Sequence, residues 1–577
     1  MLGLLQESLF RRVSTMSETH KVFNQATPLL DYDMYADDAV LVDLINRYGA
    51  AWAEEKLSAF GRFNGSAEGI NLAVQANSFP PVLETHDRFG QRIDRVDFHP
   101  AYHQLMRTSI GHGMHSLPWT NPQDGAHVAR AAMLYMAFQN EAGHCCPVSM
   151  TYSAIPTLRK QPDLAAIWEP RICSTDYDER HLPAHLKRGI TIGMGMTEKQ
   201  GGSDIRANTT EARPQVESEV GGGQAYLLTG HKWFCSAPMS DAFLILAKTA
   251  KGVSCFFVPR FKPDGSKNTL RIQRLKDKLG NHSNASSELE FVDALGWLVG
   301  EEGRGVPTLI EMVNHTRLDC MLGASALMRQ ATVQALHHAR ERSAFGKKLV
   351  DQPLMANVLA DLSLESEAAI RMTMRVARAY DQHQNSASEA AFKRIASAIS
   401  KYWICKRAPM HVAEALECLG GNGYVEAGPM PRLFRESPLL GIWEGSGNVI
   451  CLDVLRAVSK EPETLDVFIA EVEKGRGYSR RFDSYISSIK RDLAALKKSA
   501  ASKNAAVAVG RELGARRLVE RLALALQGAL MIEQNPGAAA DAFIASRIAG
   551  GGGFAFGTLP KNIKVNELVA RAYLRSR

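Results

Sequence analysis

Between residues 35 and 185, apolar residues recur every three or four positions, as in Asp37–Phe60 and Val128–Gln139. That spacing predicts helices with one apolar face. Gly- and Pro-containing breaks at Ser78–Val82 and Leu117–Gly125 separate them. Near Gly193 the pattern shifts to short β-rich runs: Ala225–Gly230, Phe243–Ala247, Val253–Val258 and Leu289–Phe291. Turn residues at Gly221–Gly223 and Pro263–Gly265 bound them, giving a β domain of about 110 residues. Helical spacing returns after Gly305 through Thr308–Arg342, Met355–His383 and Ala390–Leu419, which predicts an antiparallel bundle. A last helical segment follows, with Gly550–Gly553 as a turn. The expected organisation is an extension (1–20), a helical N-terminal domain (21–189), a β domain (190–302), a helical bundle (303–460) and a helical C-terminal domain (461–577). The fold class is mainly α with a central β domain.

A length of 577 residues suggests three or four such units. No apolar run reaches about 18 residues, so no membrane-spanning helix is expected. No βαβ alternation or strand-linked GxGxxG appears, which argues against a Rossmann site. The nine cysteines form no CxxC pair, and Cys145 and Cys146 are adjacent, so neither a metal site nor a disulfide framework is expected. A reducing intracellular compartment, the cytoplasm, fits this usage. Met1–Ser14, with Leu2, Leu4, Leu5, Leu9, Phe10, Arg11 and Arg12, reads either as a weak targeting peptide or as residues upstream of a start at Met16.

Charge changes the picture at one end only. The chain carries +7 overall, yet residues 471–577 hold 19 Lys/Arg against 9 Asp/Glu, a surplus of ten. The rest of the chain is therefore slightly acidic. Such asymmetry is a cue for a polyanionic partner.

The densest candidate chemistry is Gly193–Asp204. Gly201 and Gly202 let backbone approach a ligand, and Thr197 and Ser203 offer hydroxyls and N–H groups to flavin heteroatoms or a pyrophosphate. Trp233 and Phe234, beside the Ser236 hydroxyl, suit one face of a large flat ring. Together, Thr197-Glu198-x-x-x-Gly202-Ser203-Asp204 and Gly230-x-Lys232-Trp233-x-x-Ser236 resemble the acyl-CoA dehydrogenase family. Three further elements follow in the family's order: Arg342-Ser343-Ala344-Phe345-Gly346 with Gln352, Leu419–Tyr424, and Trp443–Asn448.

The resemblance implies a helical domain, a β domain and a four-helix bundle, assembled as a homotetramer that binds FAD. It implies FAD contacts from Met196, Thr197, Gly202, Ser203, Trp233, Phe234, Ser236, Trp443 and Asn448. Arg342, Phe345 and Gln352, with Gly420 and Gly421, would contact the FAD of a neighbouring subunit. Arg342 would meet the pyrophosphate, which its planar fork suits. Glu444 would be the base that takes the α-proton of an acyl-CoA, while Ser203 and Arg317 would lie on the substrate side. The electron acceptor is left unassigned.

The flavin loop departs from the usual Thr-Glu-Pro-Gly-Ala-Gly-Ser-Asp by carrying Lys199, Gln200 and Gly201. This variant, with Lys21–Gln25, Arg274–Asn281 and Ser283–Ser286, resembles the AidB branch. That branch implies feeble dehydrogenation of short or branched acyl-CoAs, binding of double-stranded DNA through a basic C-terminal domain, and a role in the response to DNA alkylation. Phe482, Ile486, Ile489, Leu493 and Leu496 form an apolar helical stripe. Arg480, Arg491 and Lys498 project from it, and Arg511, Arg516, Arg517 and Arg521 extend the basic character; all seven are expected to meet phosphates without sequence specificity. Two alternatives stay open: a catabolic dehydrogenase whose basic tail serves assembly, and a DNA-protecting protein with structural FAD.

Overall fold

The apolar periodicity resolves into helical layers around a small closed sheet. A computed structural model describes residues 19–215, 224–500 and 504–576. Residues 1–18 of the N-terminal extension and the turn at Gly221–Gly223 lie outside the described residues.

In the N-terminal region the stretch read as continuous from Asp37 to Phe60 is two helices, Ala39–Arg47 and Glu54–Gly65. Gly49 breaks them with φ of 78°, a left-handed conformation that glycine adopts freely. Ala126–Asn140 is buried on every side rather than on one face. It runs beneath other helices, so its apolar spacing marks a core helix, not an amphipathic one. The expectation of helices alone here misses a hairpin, β1 (Val82–His86) with β2 (Arg92–Asp97). Arg92 donates to the carbonyl of Ile272 at 2.6 Å, and Lys267 pairs with Asp94 at 3.1 Å. The hairpin therefore belongs spatially to the β domain, a long-range relation that local periodicity does not carry.

That domain contains β3 (Ile192–Gly195), β4 (Glu211–Pro214), β5 (Ala225–Ser236), β6 (Ala242–Thr249), β7 (Gly252–Pro259), β8 (Leu270–Leu275) and β9 (Ser286–Val299). The order β3-β6-β4-β5-β9-β7, with β6 also paired to β7, closes most of the sheet on itself. β5 and β9 pair antiparallel, but Lys232 faces Leu289 while Cys235 faces Ser287. One extra residue on β5 makes a bulge at Trp233–Phe234, and bulges re-aim side chains.

Helices Gly305–Glu341, Pro353–Gln382, Ala387–Glu417 and Gly447–Lys460 form the bundle. Ser386 caps the third by accepting from the Glu389 N–H at 3.2 Å. The C-terminal helices Arg480–Ala500 and Ala505–Gln534 are not an appendage. Phe482, Ile486, Leu522 and Leu526 share one apolar core with the bundle and the N-terminal domain. The chain end returns as far as Asp37, which accepts from the Ser576 N–H at 2.8 Å.

Candidate active site

The loop entering the β domain is held from below. Glu198 and Lys232 are wholly buried and paired at 2.6 Å. The Glu198 carboxylate also accepts from the Thr209 N–H (2.6 Å) and the Thr210 hydroxyl (2.6 Å). These partners hold its carboxyl well below the usual range despite burial, and burial pushes the Lys232 amine down. Sequence reasoning gave neither residue a role, although charged residues at fixed places in two motifs were the available signal. Anchored there, the loop offers half-buried Met196 and Thr197, and exposed Gly202 and Ser203. The Thr197 carbonyl accepts from the Trp233 N–H at 2.8 Å. A side chain at position 202 would meet the Thr197 hydroxyl at 2.5 Å, so glycine is required. Gln200 turns back onto Glu198 at 2.8 Å rather than outward.

Trp233 and Phe234 do not form a continuous wall. Their planes lie 86° apart, and Phe234 is half-exposed. The Lys276 ammonium stands 3.3 Å from the centre of the Trp233 ring. Ser236 sits at the end of β5, where its hydroxyl meets the Cys146 thiol.

Glu444 lies on the loop that precedes the last bundle helix. Its backbone is left-handed, with φ of 57°, a conformation costly outside glycine and concentrated at functional sites. Burial pushes its carboxyl up, countered by the Thr316 hydroxyl. Its Oε2 has no partner among the described residues. Three cations grip the loop: Arg317 donates to the Glu444 carbonyl (3.1 Å), Lys401 to the Gly445 carbonyl (2.7 Å) and Arg516 to the Asn448 side chain (2.9 Å). Arg317, expected on the substrate side, is thus committed to protein groups; it also pairs with Asp453 at 2.9 Å. Its guanidinium bridges the Glu444 carbonyl and the Asp453 carboxylate. Asn448, expected to face the cofactor, gives its carbonyl oxygen to Arg516, which was expected to face phosphate instead. Trp443 is half-buried against both the bundle core and the β-domain core.

Arg342 and Phe345 lie at the far end of the helix that carries Arg317. Twenty-five residues of helix span roughly 37 Å, so they cannot serve the Glu444 site of their own chain. Arg342 donates to the Asn24 carbonyl, the Ser343 N–H to the Asn24 side chain at 2.7 Å, and Gln352 to the Ala344 carbonyl at 3.0 Å. Asn422, beside open Gly420 and Gly421, reaches Gln25 at 3.4 Å. The Lys21–Gln25 segment therefore ties both elements together. Phe345 is 98% exposed and Tyr424 81%.

In the C-terminal domain Arg480, Arg491, Lys498, Arg516 and Arg517 are exposed. Arg521 differs: it pairs with Asp492 and donates to Ser488, clasping the two helices. Arg511 donates to the Ser499 carbonyl at 2.7 Å. Both are spent on holding the helical pair.

Residues 24–179 match the family described as the adaptive response protein AidB N-terminal domain. Residues 193–294 and 303–459 match the middle and C-terminal domains of acyl-CoA dehydrogenases. AidB of Escherichia coli (strain K12) is 46% identical over 478 residues, 82% of this chain and 87% of that protein. The chain belongs to the AidB branch of the acyl-CoA dehydrogenase family. Among solved structures, Caenorhabditis elegans ACDH-11 in complex with C11-CoA superimposes with a TM-score of 0.81 at 26% identity, covering 98% of this chain and 95% of that one. Bd2924 in its apo-form gives 0.80 at 27% identity, covering 89% and 100%. The family's members are FAD-dependent oxidoreductases, and this chain's residues fit that cofactor. The Thr197–Ser203 loop presents hydroxyls and open backbone, Trp233 presents a ring, and Ser236 presents a hydroxyl at the end of β5.

Proposed function

We propose that the protein catalyses α,β-dehydrogenation of short or branched acyl-CoA thioesters, with Glu444 as the base. A proton leaves Cα for Glu444, a hydride leaves Cβ, and the Cα–Cβ double bond forms. Bound FAD supplies the hydride acceptor. Met196, Thr197, Gly202, Ser203, Trp233, Phe234, Ser236 and Trp443 would hold it from this subunit. Arg342, Phe345, Gln352, Gly420 and Gly421 would do so from a neighbour in a homotetramer, a reading supported by the roughly 37 Å reach along the helix and by exposed Phe345.

The observation that carries the reading is the idle Glu444 Oε2 on a loop held by three cations. A carboxylate works as a base near neutral pH when burial raises its pKa, and burial does so here. The short or branched acyl class rests on the likeness to AidB. Anaerobic mixing with isovaleryl-CoA and butyryl-CoA tests the reading. Flavin bleaching should fall about 10²–10⁴-fold in Glu444→Gln. Equal bleaching in that variant would remove Glu444 from the mechanism.

A second activity is supported by a different observation. Arg480, Arg491, Lys498 and Arg517 are exposed with no carboxylate partner among the described residues, in a segment with ten surplus positive charges. This favours double-stranded DNA, bound through phosphates without sequence preference. A role in the alkylation response rests on the likeness to AidB. The nine free cysteines suit a reducing compartment such as the cytoplasm.

A further inference from the structure

The Lys21–Gln25 motif has no part in the dehydrogenation step, yet the arm it opens docks on one place, the C-terminal end of helix Gly305–Glu341. Asn24 stands at φ of 57°, a left-handed conformation that Asn tolerates better than most residues. Its amide pairs with both backbone groups of Ser343. Nδ2 donates to the Ser343 carbonyl at 2.8 Å, and Oδ1 accepts from the Ser343 N–H at 2.7 Å. The side chain thereby acts as one more peptide unit along the edge of the small hairpin that pairs Ser343–Ala344 with Lys347–Lys348. The Asn24 carbonyl accepts from Nη1 of Arg342. Phe23 is exposed, so apolar burial of this stretch is not what fixes it.

The hairpin needs outside support. Phe345 and Gly346, with φ of 51° and 77°, make the tight two-residue turn, and an isolated pair of strands this short is not stable in water. Arg342 opens it, directly after the last helical residue, Glu341. A free Glu341 would be the nearest carboxylate for that guanidinium, but Thr27 occupies it. The Glu341 carboxylate accepts from the Thr27 N–H at 2.5 Å and from its hydroxyl at 2.9 and 3.0 Å. Arg342 accordingly has no carboxylate partner among the described residues, and a neutral carbonyl aligns it without cancelling its charge. A guanidinium has five N–H donors in a fixed fork. With one on Asn24, the rest can meet the oxygens of an anion, and the fork geometry suits phosphate. Gln25 ties in the second open turn by accepting from Asn422 at 3.4 Å.

We propose that Asn24 is a positioning residue for FAD. It fixes Arg342, through the turn that follows it, in the orientation that meets the cofactor's pyrophosphate in a neighbouring subunit. This rests on the reading of Arg342 given above.

The test is a double-mutant cycle on the full-length holoenzyme. The FAD dissociation constant is read from the recovery of flavin fluorescence on dilution, and the assembly is followed by sedimentation. Asn24→Gly keeps the left-handed backbone at no steric cost and deletes only the amide, so folding should survive. The loss of two hydrogen bonds should raise the dissociation constant about tenfold. Most of that penalty should vanish in the Arg342→Met background, because a residue that acts through Arg342 has nothing left to position. An equal penalty in both backgrounds would overturn the proposal and reduce Asn24 to a packing contact. So would loss of FAD that accompanies loss of the assembly. If Arg342→Met weakens FAD binding while Asn24→Gly leaves it unchanged, the proposal fails and the reading of Arg342 stands. If Arg342→Met leaves FAD affinity unchanged, that reading fails and takes the proposal with it.

Discussion

At Glu444, burial, a left-handed backbone and an unpaired Oε2 coincide on one side chain. Burial favours the protonated form, so this carboxyl titrates above an ordinary glutamate. Flavin reduction should therefore rise with pH through a pKa above that of free glutamate. An apparent pKa in the ordinary glutamate range would show that substrate binding, not burial, governs the base. Glu436 provides a second residue-scale test, of stability. Burial raises its carboxyl from 4.5 to about 7, against hydrogen bonds from Asn281. The folded protein thus holds this proton more tightly than the unfolded chain. Its stabilising contribution is complete below about pH 4.5 and is lost as pH rises toward 7. Glu436→Gln mimics the protonated form and should flatten the fall in Tm across that window. The same pH slope in variant and parent would show that other groups set it.

Among the elements, the flavin loop depends on a clamp that lies outside it. Glu198 and Lys232 come from the loop and from β5, and neither is exposed. Lys232→Met would leave a buried carboxylate unpaired, at a cost of about 3–5 kcal/mol. A lower Tm with weaker retention of FAD is expected, since the loop's anchor goes with the pair. An unchanged Tm would mean that Thr209 and Thr210 suffice to hold Glu198. The bulge on β5 works at the same scale. It sets Trp233 perpendicular to Phe234 and gives one face of Trp233 to Lys276. The sequence motif names these residues, but strand pairing decides where they face.

For the whole molecule, the C-terminal helices share the main core, so deleting them would expose apolar surface and confuse binding with folding. Charge reversal separates the two. Replacing Arg480, Arg491, Lys498 and Arg517 by Glu should leave Tm nearly unchanged. It should weaken DNA binding and lower the salt slope, which falls by about 0.9 per lost phosphate contact. Arg521→Ala should do the reverse, because Arg521 clasps two helices. If Arg521→Ala weakened DNA binding more than the four reversals did, the phosphate-facing surface would lie elsewhere. Arg516 joins this scale to the first, since it runs from the basic helix to Asn448 on the base-bearing loop.

The sequence by itself determined the succession of helical, β and helical segments, because the repeat of apolar positions is a local property that each segment carries. It also singled out Glu444 as the candidate base, since ordered motifs fix the register around it. It could not show that Gly49 splits a helix, that the β1–β2 hairpin joins the β domain, or that Arg317 supports Glu444 from behind. Nor could it separate Arg521 from Arg517, which have the same residue type and similar spacing. Those distinctions depend on which distant groups share space, and on which polar atoms burial leaves with partners. Only the tertiary structure decides that, because hydrogen bonding and desolvation act between residues hundreds of positions apart.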